Sequence, residues 1–593
     1  AQAKIAVDKI INYQSKSDFG DWRNEITMVA DDEDFDLHLN DAEAHAALIE
    51  GKQPVWNLNK IYLDAFQQNS GTGGSRYPEV NATITKGMNL GTMLWNYSGH
   101  GGNARLAQEA ILEKEMLPLW ENQNRLPLFV TATCDFAPFD NPAQFSIGED
   151  LLVGRSNGAI GLMTTTRLVF ASSNKLINNN FFKSLLQRKS DGRYPSLGEA
   201  WLNAKNTTVV ESGDYINARK FAMLGDPSMK LLMPEYQVKT IRVTDLGNGS
   251  IADTLRALNQ YRIEGEVLLP DGNFDPGFNG TLSVKIQDKA TNYKTLANDQ
   301  QSSVRDFKVY DNLIYFGKTK VQSGKFSFQF VVPNDIRFEY GKARVSYYAE
   351  DGIKDAQGVD ESIVAGGFGG KVENDKNGPV IQAFLENESF KNGDAVKENP
   401  VFIAKLSDQA GIYLGRFGIG HDIRLVIDGD NSSARVLNDY FQPLLNENKA
   451  GEIYFQLPEL SEGVHKIELK AWDVFNNSST AVIDFIVVKK QTIEVERFYN
   501  FPNPFSASTT FSFQLNGPTE GAFVTLDVLT LEGKPIKRLV ETINQKGLRF
   551  IQMKWNGFDM NGKKPQPGIY LARLTIKAKS GRITSKVQKL ILL

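Results

Sequence analysis

Two short apolar runs, at residues 93–97 and 128–130, constrain the fold more than any other feature of this sequence, because each leads into a potential catalytic side chain. The first run is followed by His100 and the second by Cys134. Each run has the length and apolar character of a strand buried on both faces, as in a parallel sheet. Parallel strands need a crossover connection, and the spaced apolar positions in residues 106–123 predict an amphipathic helix there. The sequence therefore predicts His100 and Cys134 at the same edge of one sheet.

Histidine and cysteine at neighbouring strand ends are the residue types of nucleophilic catalysis. An adjacent imidazole can take the proton of a thiol and later protonate a leaving amine. Glycines after His100 allow a tight turn, and we predict that the N–H groups of Gly101 and Cys134 form an oxyanion hole. Alone, Cys134 would be interpreted as a small buried hydrophobe and His100 as a turn residue. Together, in a chain with a single cysteine, they predict a Cys–His dyad.

Composition leaves room for several domains and excludes one class of partner. The 593 residues, 41% of them hydrophobic, suffice for three or four separate cores. The formal net charge of −4 gives no basic surface for nucleic acid, and no apolar run approaches the ~20 residues of a membrane-spanning helix. One cysteine excludes an internal disulfide framework. The chain starts at Ala1 with neither a methionine nor a signal-peptide pattern, and we expect an N-terminally incomplete fragment.

An acidic segment, residues 31–36, follows a predicted strand at residues 25–30 and lies at the same predicted sheet edge. It is interpreted as a solvated loop, as a source of a carboxylate that orients His100, as a pocket for a basic side chain, or as a structural calcium cluster. Its spacing does not match an EF-hand loop. We predict that Asp32 lies in the site. No histidine or cysteine cluster has metal-ligand spacing, so no other metal site is predicted.

Three further residues are candidates for the substrate pocket. Ser146 with Glu149 three positions later has the capping-box pattern, so Glu149 is interpreted either as a helix cap or as a site residue. A buried strand predicted at residues 158–163 leads into three threonines. Thr165 and Thr166 are predicted to line the pocket at the end of that strand.

The pattern of the chain changes after residue 235 from helical to alternating. Short alternating runs separated by glycine, proline and aspartate turns are typical of β-sandwiches. We therefore predict a multidomain chain, with an α/β module followed by all-β, immunoglobulin-like sandwich domains. The module is expected to end with a strand at residues 229–232. The four predicted domains are residues 1–235, 236–376, 377–489 and 490–593.

Several motifs resemble those of the gingipain-type cysteine peptidases, whose fold is similar to that of caspases. The motifs are residues 96–102, 131–135 and 221–227. Within that family the chain is most similar to the PorU-type sortases of type IX secretion, and its last domain resembles the C-terminal sorting domains of that system. The residues that carry this closer resemblance are 136–141, 146–149 and 164–167. The resemblance implies a caspase-like module with Cys134 as nucleophile and His100 as acid–base, and it requires no cofactor.

The resemblance also implies a function at the cell surface. A sortase of this type removes C-terminal sorting domains from type IX secreted proteins and attaches the proteins to anionic lipopolysaccharide. It lies peripherally on the extracellular face of the outer membrane, where it docks on a β-barrel partner and other attachment-complex subunits. Two alternatives stay open. One is a secreted gingipain-type protease whose own last domain is a cleavable signal, and the other is a non-catalytic surface scaffold or adhesin.

Overall fold

The computed structural model of the chain describes residues 2–15, 18–72, 74–369, 375–488, 494–516, 521–543, 549–578 and 583–593. Its first sheet has six strands, in the order β6-β5-β4-β3-β1-β2. They are β1 (Glu25–Ala30), β2 (Asn57–Tyr62), β3 (Leu94–Ser98), β4 (Leu128–Ala132), β5 (Gly161–Thr165) and β6 (Phe221–Leu224). The first five pair in parallel, and β6 pairs antiparallel with β5. The prediction of a mostly parallel sheet is confirmed.

Helices cover both faces of this sheet. They are α1 (Gln2–Gln14), α2 (Leu37–Lys52), α3 (Pro78–Leu90), α4 (Ala171–Leu185), α5 (Leu197–Ser212) and α6 (Tyr215–Lys220). Helices α1, α2, α4 and α5 contribute to a core on one face, and α3 contributes to a second core on the other. Strand side chains alternate between the two cores, as in β4, where Leu128 and Val130 join the first and Phe129 the second. This two-sided burial explains why the runs before His100 and Cys134 are predominantly apolar.

The helix predicted at residues 106–123 is wrong. The structure has a short hairpin there, Arg105–Leu106 with Leu112–Glu113, followed by a 3₁₀ helix at Lys114–Leu119. Pro118 lacks the N–H that an α-helix interior needs, and the backbone is left-handed at Ala107 and Ala110. The apolar side chains of this segment still pack on the sheet. The spacing of the apolar residues therefore indicated which side chains are buried, but it did not indicate the backbone structure that buries them.

The strand predicted at residues 229–232 is also wrong. No strand is assigned to these residues, although Met229 and Leu231 are buried in the first core. The edge of the sheet is β6, which precedes the Gly225-Asp226-Pro227 turn. Apolar character therefore placed residues 229–232 inside the core but did not identify a hydrogen-bonded strand.

Lys9 links α1 to the chain segment between residues 151 and 159. Its Nζ donates hydrogen bonds to the carbonyl oxygens of Leu151, Leu152 and Ala159, at 2.7, 3.1 and 3.2 Å. Leu151 and Leu152 belong to a π-helical turn, Asp150–Gly154. Burial lowers the pKa of Lys9 to about 7, and the nearby Asp150 opposes that shift. The ammonium group gives the carbonyls of Leu152 and Ala159 a donor and the carbonyl of Leu151 a second donor besides the Ala159 N–H.

Three strand-rich regions follow the first sheet. The first contains a seven-stranded sheet, and its strands in spatial order are Leu313–Val321, Gly280–Gln287, Arg344–Glu350, Asp355–Asp360, Tyr236–Asp245, Gln260–Leu268 and Lys325–Val331. Smaller sheets join Thr254–Ala257, Val364–Phe368 and Gly341–Lys342, and Thr291–Lys294 with Asp306–Val309. Most of the buried apolar side chains of this region form one core.

The second strand-rich region has two sheets that share one core. The four-stranded sheet is Val380–Leu385, Val401–Ser407, Glu447–Gln456 and Phe441–Leu444, and the five-stranded sheet is Ala395–Val396, Ser478–Val487, Gly463–Trp472, Arg424–Ile427 and Asp430–Val436.

The third region also has two sheets around one core. These are Glu494–Phe501, Thr509–Asn516 and Arg549–Trp555, and Pro535–Ile543, Ala522–Leu529, Gly568–Lys577 and Ile583–Leu592. The boundary predicted between residues 489 and 490 lies outside the described residues. None of the described helices is long and apolar enough to cross a membrane.

Ion pairs join the first module to the regions that follow it. Arg23 contacts Asp355 at 2.7 Å, and both side chains are buried. Asp439 accepts hydrogen bonds from Lys86 of α3 at 2.8 Å and from Arg416 at 2.5 Å. Burial would raise the pKa of Asp439, but the attraction of the two cations lowers it to about 2. Charged contacts therefore connect α3 directly to the third predicted domain.

Candidate active site

The turns that carry His100 and Cys134 leave adjacent parallel strands at the same height. Ser98 at the end of β3 is in register with Ala132 at the end of β4, and each candidate residue comes two positions later. A methyl group on Gly101 would lie 2.7 Å from Thr133 Oγ1, so the two turns touch. The structure thus brings the histidine turn and the cysteine turn together, as the strand pattern predicts.

A buried hydrogen-bond network holds the backbone of His100. The His100 N–H donates to Asp31 Oδ2 at 2.7 Å, and the Tyr97 hydroxyl donates to the His100 carbonyl at 2.6 Å. Asp31 in turn donates its own N–H to the Ser98 carbonyl. Burial raises the pKa of the Asp31 carboxyl well above its usual range, although the hydrogen bond from His100 acts in the opposite direction. The first residue of the acidic segment therefore fixes the turn and not the imidazole ring.

Two later carboxylates of the acidic segment face the His100 ring. Its Nε2 lies 3.0 Å from Asp34 Oδ2 and 3.5 Å from Glu33 Oε2. The His100 side chain is 44% exposed and that of Asp34 is 47% exposed. The backbone is left-handed at Asp34, Phe35 and Asp36, which is unusual for three successive residues other than glycine. This conformation turns the Asp34 carboxylate towards the imidazole.

Cys134 is half-buried, and its support comes from β5. Its Sγ lies 3.9 Å from the Val169 carbonyl oxygen. Thr165 is fully buried, and its hydroxyl donates to the Thr133 carbonyl at 2.5 Å, so it braces the cysteine turn from behind. Thr166 is half-buried, and its hydroxyl donates to the Lys220 carbonyl at 3.1 Å.

The predicted oxyanion donors have no internal acceptor. Within the described part of the chain, neither the Gly101 N–H nor the Cys134 N–H donates a hydrogen bond to a protein group. The neighbours of Gly101 are paired, because Gly102 N–H donates to Arg105 and the Ala107 N–H donates to His100. The two free N–H groups flank the contact between the turns and remain available to an anionic oxygen.

Asp32 lies beside the histidine turn but does not contact its ring. The Tyr77 hydroxyl donates to Asp32 Oδ2 at 2.5 Å, and the Ser302 hydroxyl donates to the Asp32 carbonyl at 2.5 Å. Asp32 is buried, and burial together with this carboxylate raises the pKa of Tyr77. Ser302 comes from the strand-rich region that follows the first sheet, so that region reaches the acidic segment.

Glu149 forms the capping box predicted for it. Its Oε2 accepts hydrogen bonds from the Ser146 N–H at 2.9 Å and from the Ser146 hydroxyl at 2.6 Å, while its own N–H donates to Ser146 Oγ. The following Ile147 N–H donates to the Asn103 carbonyl at 2.8 Å. The cap therefore ties the segment after the cysteine turn to the segment after the histidine turn.

An oxygen-rich cluster lies beneath the histidine turn. Carboxylate oxygens of Asp31, Asp32 and Glu109 lie within 4.8 Å of one another, and all three residues are buried. Asp32 Oδ1 and Glu109 Oε2 have no hydrogen-bond partner among the described residues. Burial, with the nearby Asp32, raises the pKa of Glu109 to about 7. Oxygen ligands suit a calcium ion, and a structural calcium site at the acidic segment stays a prediction.

The sequence interpretation missed His38. It lies in the first turn of α2, is 6% exposed, and places its Nε2 3.4 Å from Asp34 Oδ2. Its ring packs perpendicular to the His100 ring, with centroids 5.2 Å apart. Burial and the nearby His100 lower the pKa of His38 to about 4. The i, i+4 spacing from Asp34 was the only sequence signal available for this pair.

Exposed apolar side chains flank the thiol. Leu168 and Phe170 are exposed on either side of Val169, whose carbonyl oxygen is next to Cys134 Sγ. A cavity of about 1660 Å³ lies elsewhere, between the amino ends of the strands and the following regions, and its lining includes Glu25 and Lys285.

Comparison with known proteins gives a family match for the first part of the chain. Residues 1–232 match the model of peptidase family C25. No curated protein matches the sequence. Among solved structures, latent dimeric PorU from Porphyromonas gingivalis is 28% identical, with 74% of this chain and 41% of that chain covered and a TM-score of 0.30. The Arg-specific cysteine proteinase gingipain R is 15% identical, with 60% of this chain and 72% of that chain covered and a TM-score of 0.33.

The chain spans about two fifths of the length of that PorU chain. The family match covers the whole first sheet, its helices and both candidate turns. Residues 1–232 therefore match peptidase family C25, the gingipain family of cysteine peptidases, and the match does not extend to the strand-rich regions that follow.

Proposed function

We propose that Cys134 is the nucleophile and His100 the general base and acid of this cysteine peptidase. The thiolate of Cys134 attacks the scissile carbonyl after His100 takes the thiol proton, and protonated His100 then gives that proton to the leaving amine. The N–H groups of Gly101 and Cys134 bind the oxyanion. The observation that carries this proposal is the register of β3 and β4, which sets both turns at one sheet edge with two free N–H groups between them.

The acyl-enzyme that forms has two fates. Water gives hydrolysis, and an amine gives transpeptidation by the same chemistry. An open, apolar surface at Leu168 and Phe170 beside the thiol favours an extended polypeptide over a small molecule as the acyl donor. The module adopts a caspase-like arrangement in this proposal, and the three strand-rich regions are immunoglobulin-like sandwiches that position it and bind partners.

The substrate of the proposed enzyme is a secreted protein with a C-terminal sorting domain. The motifs shared with PorU-type sortases and the sorting-domain-like residues 490–593 support this assignment. The enzyme removes the sorting domain and transfers the protein to anionic lipopolysaccharide. It works peripherally at the outer surface of the outer membrane, docked on a β-barrel partner and other attachment-complex subunits.

The dyad is tested by thiol labelling, because Cys134 is the only cysteine in the chain. A chloroacetamide probe is expected to label wild type much faster than it labels the unfolded chain, and His100→Ala is expected to remove the difference. His421→Ala, which changes a histidine bonded to Asp335 far along the chain, is the matched control and is expected to label like wild type. Equal labelling rates for wild type and His100→Ala would contradict the dyad.

The sortase assignment is tested with a secreted substrate that carries a sorting domain, incubated with and without an amine acceptor. Wild type is expected to remove the domain and to form an acceptor-linked product, both detected by mass spectrometry, and Cys134→Ala is expected to do neither. Digestion of unrelated proteins without removal of the domain would indicate the secreted-protease alternative. Absence of any cleavage by wild type would indicate the scaffold alternative.

A further inference from the structure

His38 presents a buried ring nitrogen that lacks a well-formed hydrogen bond. The residue is 6% exposed, and the acceptor beside its Nε2, Asp34 Oδ2, lies 3.4 Å away in poor hydrogen-bond geometry. A buried polar atom without a good partner costs about 1–3 kcal/mol, so its retention calls for a ligand that satisfies it. The atoms closest to this nitrogen in the site belong to Asp34 and His100. This nitrogen therefore points into the histidine side of the active site.

Asp34, His38 and His100 converge on one point. Asp34 Oδ2, His38 Nε2 and His100 Nε2 all lie within 4.8 Å of one another. The carboxylate oxygen is 3.0 Å from His100 Nε2 and 3.4 Å from His38 Nε2. Ligands about 2.0–2.2 Å from a tetrahedral zinc ion lie about 3.3–3.5 Å apart, which is close to both distances. A metal ion would need only small side-chain movements to bind all three atoms.

The local backbone supports this set of ligands. Asp34 and His38 are four residues apart across the start of α2, and the left-handed conformation of residues 34–36 turns the carboxylate towards both rings. Asp34 and His100 are each about half exposed, so the side facing solvent can hold a fourth ligand such as water. Two imidazoles and one carboxylate select zinc-like ions over calcium and magnesium, which prefer oxygen ligands.

We propose that Asp34, His38 and His100 bind a divalent transition-metal ion such as Zn²⁺. The inhibitory consequence rests on the proposed function of His100. A metal ion bound to its Nε2 ties the ring to the acidic segment, so the ring can no longer move to exchange a proton with Cys134. The site is thus a reversible metal switch on the peptidase, separate from the all-oxygen cluster of Asp31, Asp32 and Glu109.

The test measures metal binding in the full chain with Cys134→Ala, which removes the thiol as a competing ligand. Titration calorimetry with Zn²⁺ and visible absorption with Co²⁺ are expected to show one site in this variant. Adding His38→Phe is expected to weaken Zn²⁺ binding by more than about 10-fold. Loss of a residue that only hydrogen-bonds to a metal ligand already costs about 10- to 100-fold. Adding His45→Phe, which changes an equally buried histidine on the same helix outside the cluster, is expected to leave the affinity unchanged.

Asp34→Asn provides a second test that does not disturb a buried side chain, and it is expected to weaken binding as His38→Phe does. Absence of a Zn²⁺ site in Cys134→Ala would overturn the proposal. A Zn²⁺ affinity that stays unchanged when either His38→Phe or Asp34→Asn is added would also overturn it. An equal loss on adding His45→Phe would overturn it too. Because binding is read without the thiol, a failure of the metal site is distinguishable from a failure of the dyad. For an active enzyme, zinc inhibition relative to each variant's metal-free rate is expected to be weaker in His38→Phe.

Discussion

The hydrogen bond between His100 and Asp34 predicts a loss of activity in Asp34→Asn, and the solvent exposure of the two side chains sets the size of that loss. Asp34→Asn removes the charge next to His100 Nε2 and keeps the shape of the side chain. In the proposed reaction the ring becomes positively charged when it takes the thiol proton, and a carboxylate at 3.0 Å stabilises that charge. The substitution is therefore expected to reduce kcat/KM mainly through kcat.

The magnitude is set by how much water reaches the pair. Two unit charges 3.0 Å apart attract by about 5 kcal/mol at an effective dielectric constant of about 20 and by about 1.4 kcal/mol in water. Both side chains are about half exposed, so the lower value is the better guide. A loss of about 1–2 kcal/mol corresponds to a fall of about 5- to 30-fold in kcat/KM. By comparison, replacing the buried aspartate of a catalytic triad by asparagine lowers kcat by about 10⁴-fold.

The assay is steady-state cleavage of a peptide substrate in EDTA, which keeps the proposed metal site empty. Glu33→Gln is the matched control, because its carboxylate is 3.5 Å from the same nitrogen and is expected to cost less. The double variant is expected to lose more than the product of the single effects, since each carboxylate can compensate for the other. Activity of Asp34→Asn within twofold of wild type, or a loss above about 10³-fold with unchanged thermal stability, would refute the reasoning.

Three further variants test other parts of the structure. Gly101→Ala adds a methyl group 2.7 Å from the hydroxyl next to the nucleophile and is expected to lower kcat at least about 10-fold, whereas Gly102→Ala, with open space around it, is expected to behave like wild type. Lys9→Met leaves the carbonyls of Leu152 and Ala159 without a donor and is expected to lower the free energy of unfolding by about 2–3 kcal/mol in urea titrations. An unchanged midpoint would contradict the role given to Lys9. Folding lowers the pKa of Asp439 from 3.8 to about 2 because Arg416 lies beside it. The Asp439 carboxylate therefore contributes about 2 kcal/mol to the free energy of unfolding above pH 3.8, and this contribution is lost as the pH falls through 2. Asp439→Asn is accordingly expected to be destabilised at pH 7 and to approach wild type near pH 2, and an equal difference at both pH values would contradict the charge-based account.

Local pattern was enough to predict the central strands and one cap. The strands before His100 and Cys134 are buried on both faces, so their sequences are mostly apolar, and the capping box of Ser146 and Glu149 spans only four residues. Local pattern was not enough where two structures bury the same side chains. The segment 106–123 shows this, because its spaced apolar residues fit both an α-helix and the observed hairpin with the 3₁₀ helix that contains Pro118.

The site was predicted in outline but not in its electrostatics. His100 and Cys134 could be paired because parallel strands end at one edge, and that rule needs only the order of elements. The choice of Asp32 among the five acidic residues of this segment had no such rule behind it. The left-handed backbone at Asp34 turns a different carboxylate to the ring, and a conformation that non-glycine residues rarely adopt leaves no mark in composition. His38 was missed for the same reason, because its partner Asp34 was not identified.

The strained acidic segment is held by residues that are far away in sequence. Arg305 Nε and the Ser303 N–H both donate to the Asp36 carboxylate at 2.9 Å, and Ser302 donates to the Asp32 carbonyl. Each left-handed residue costs about 1–2 kcal/mol, so the conformation persists only because contacts of this kind offset the cost. Phe307 of the same segment also packs in the first core. The strand-rich region therefore holds the acidic segment on both sides of Glu33 and Asp34, the two carboxylates that face His100.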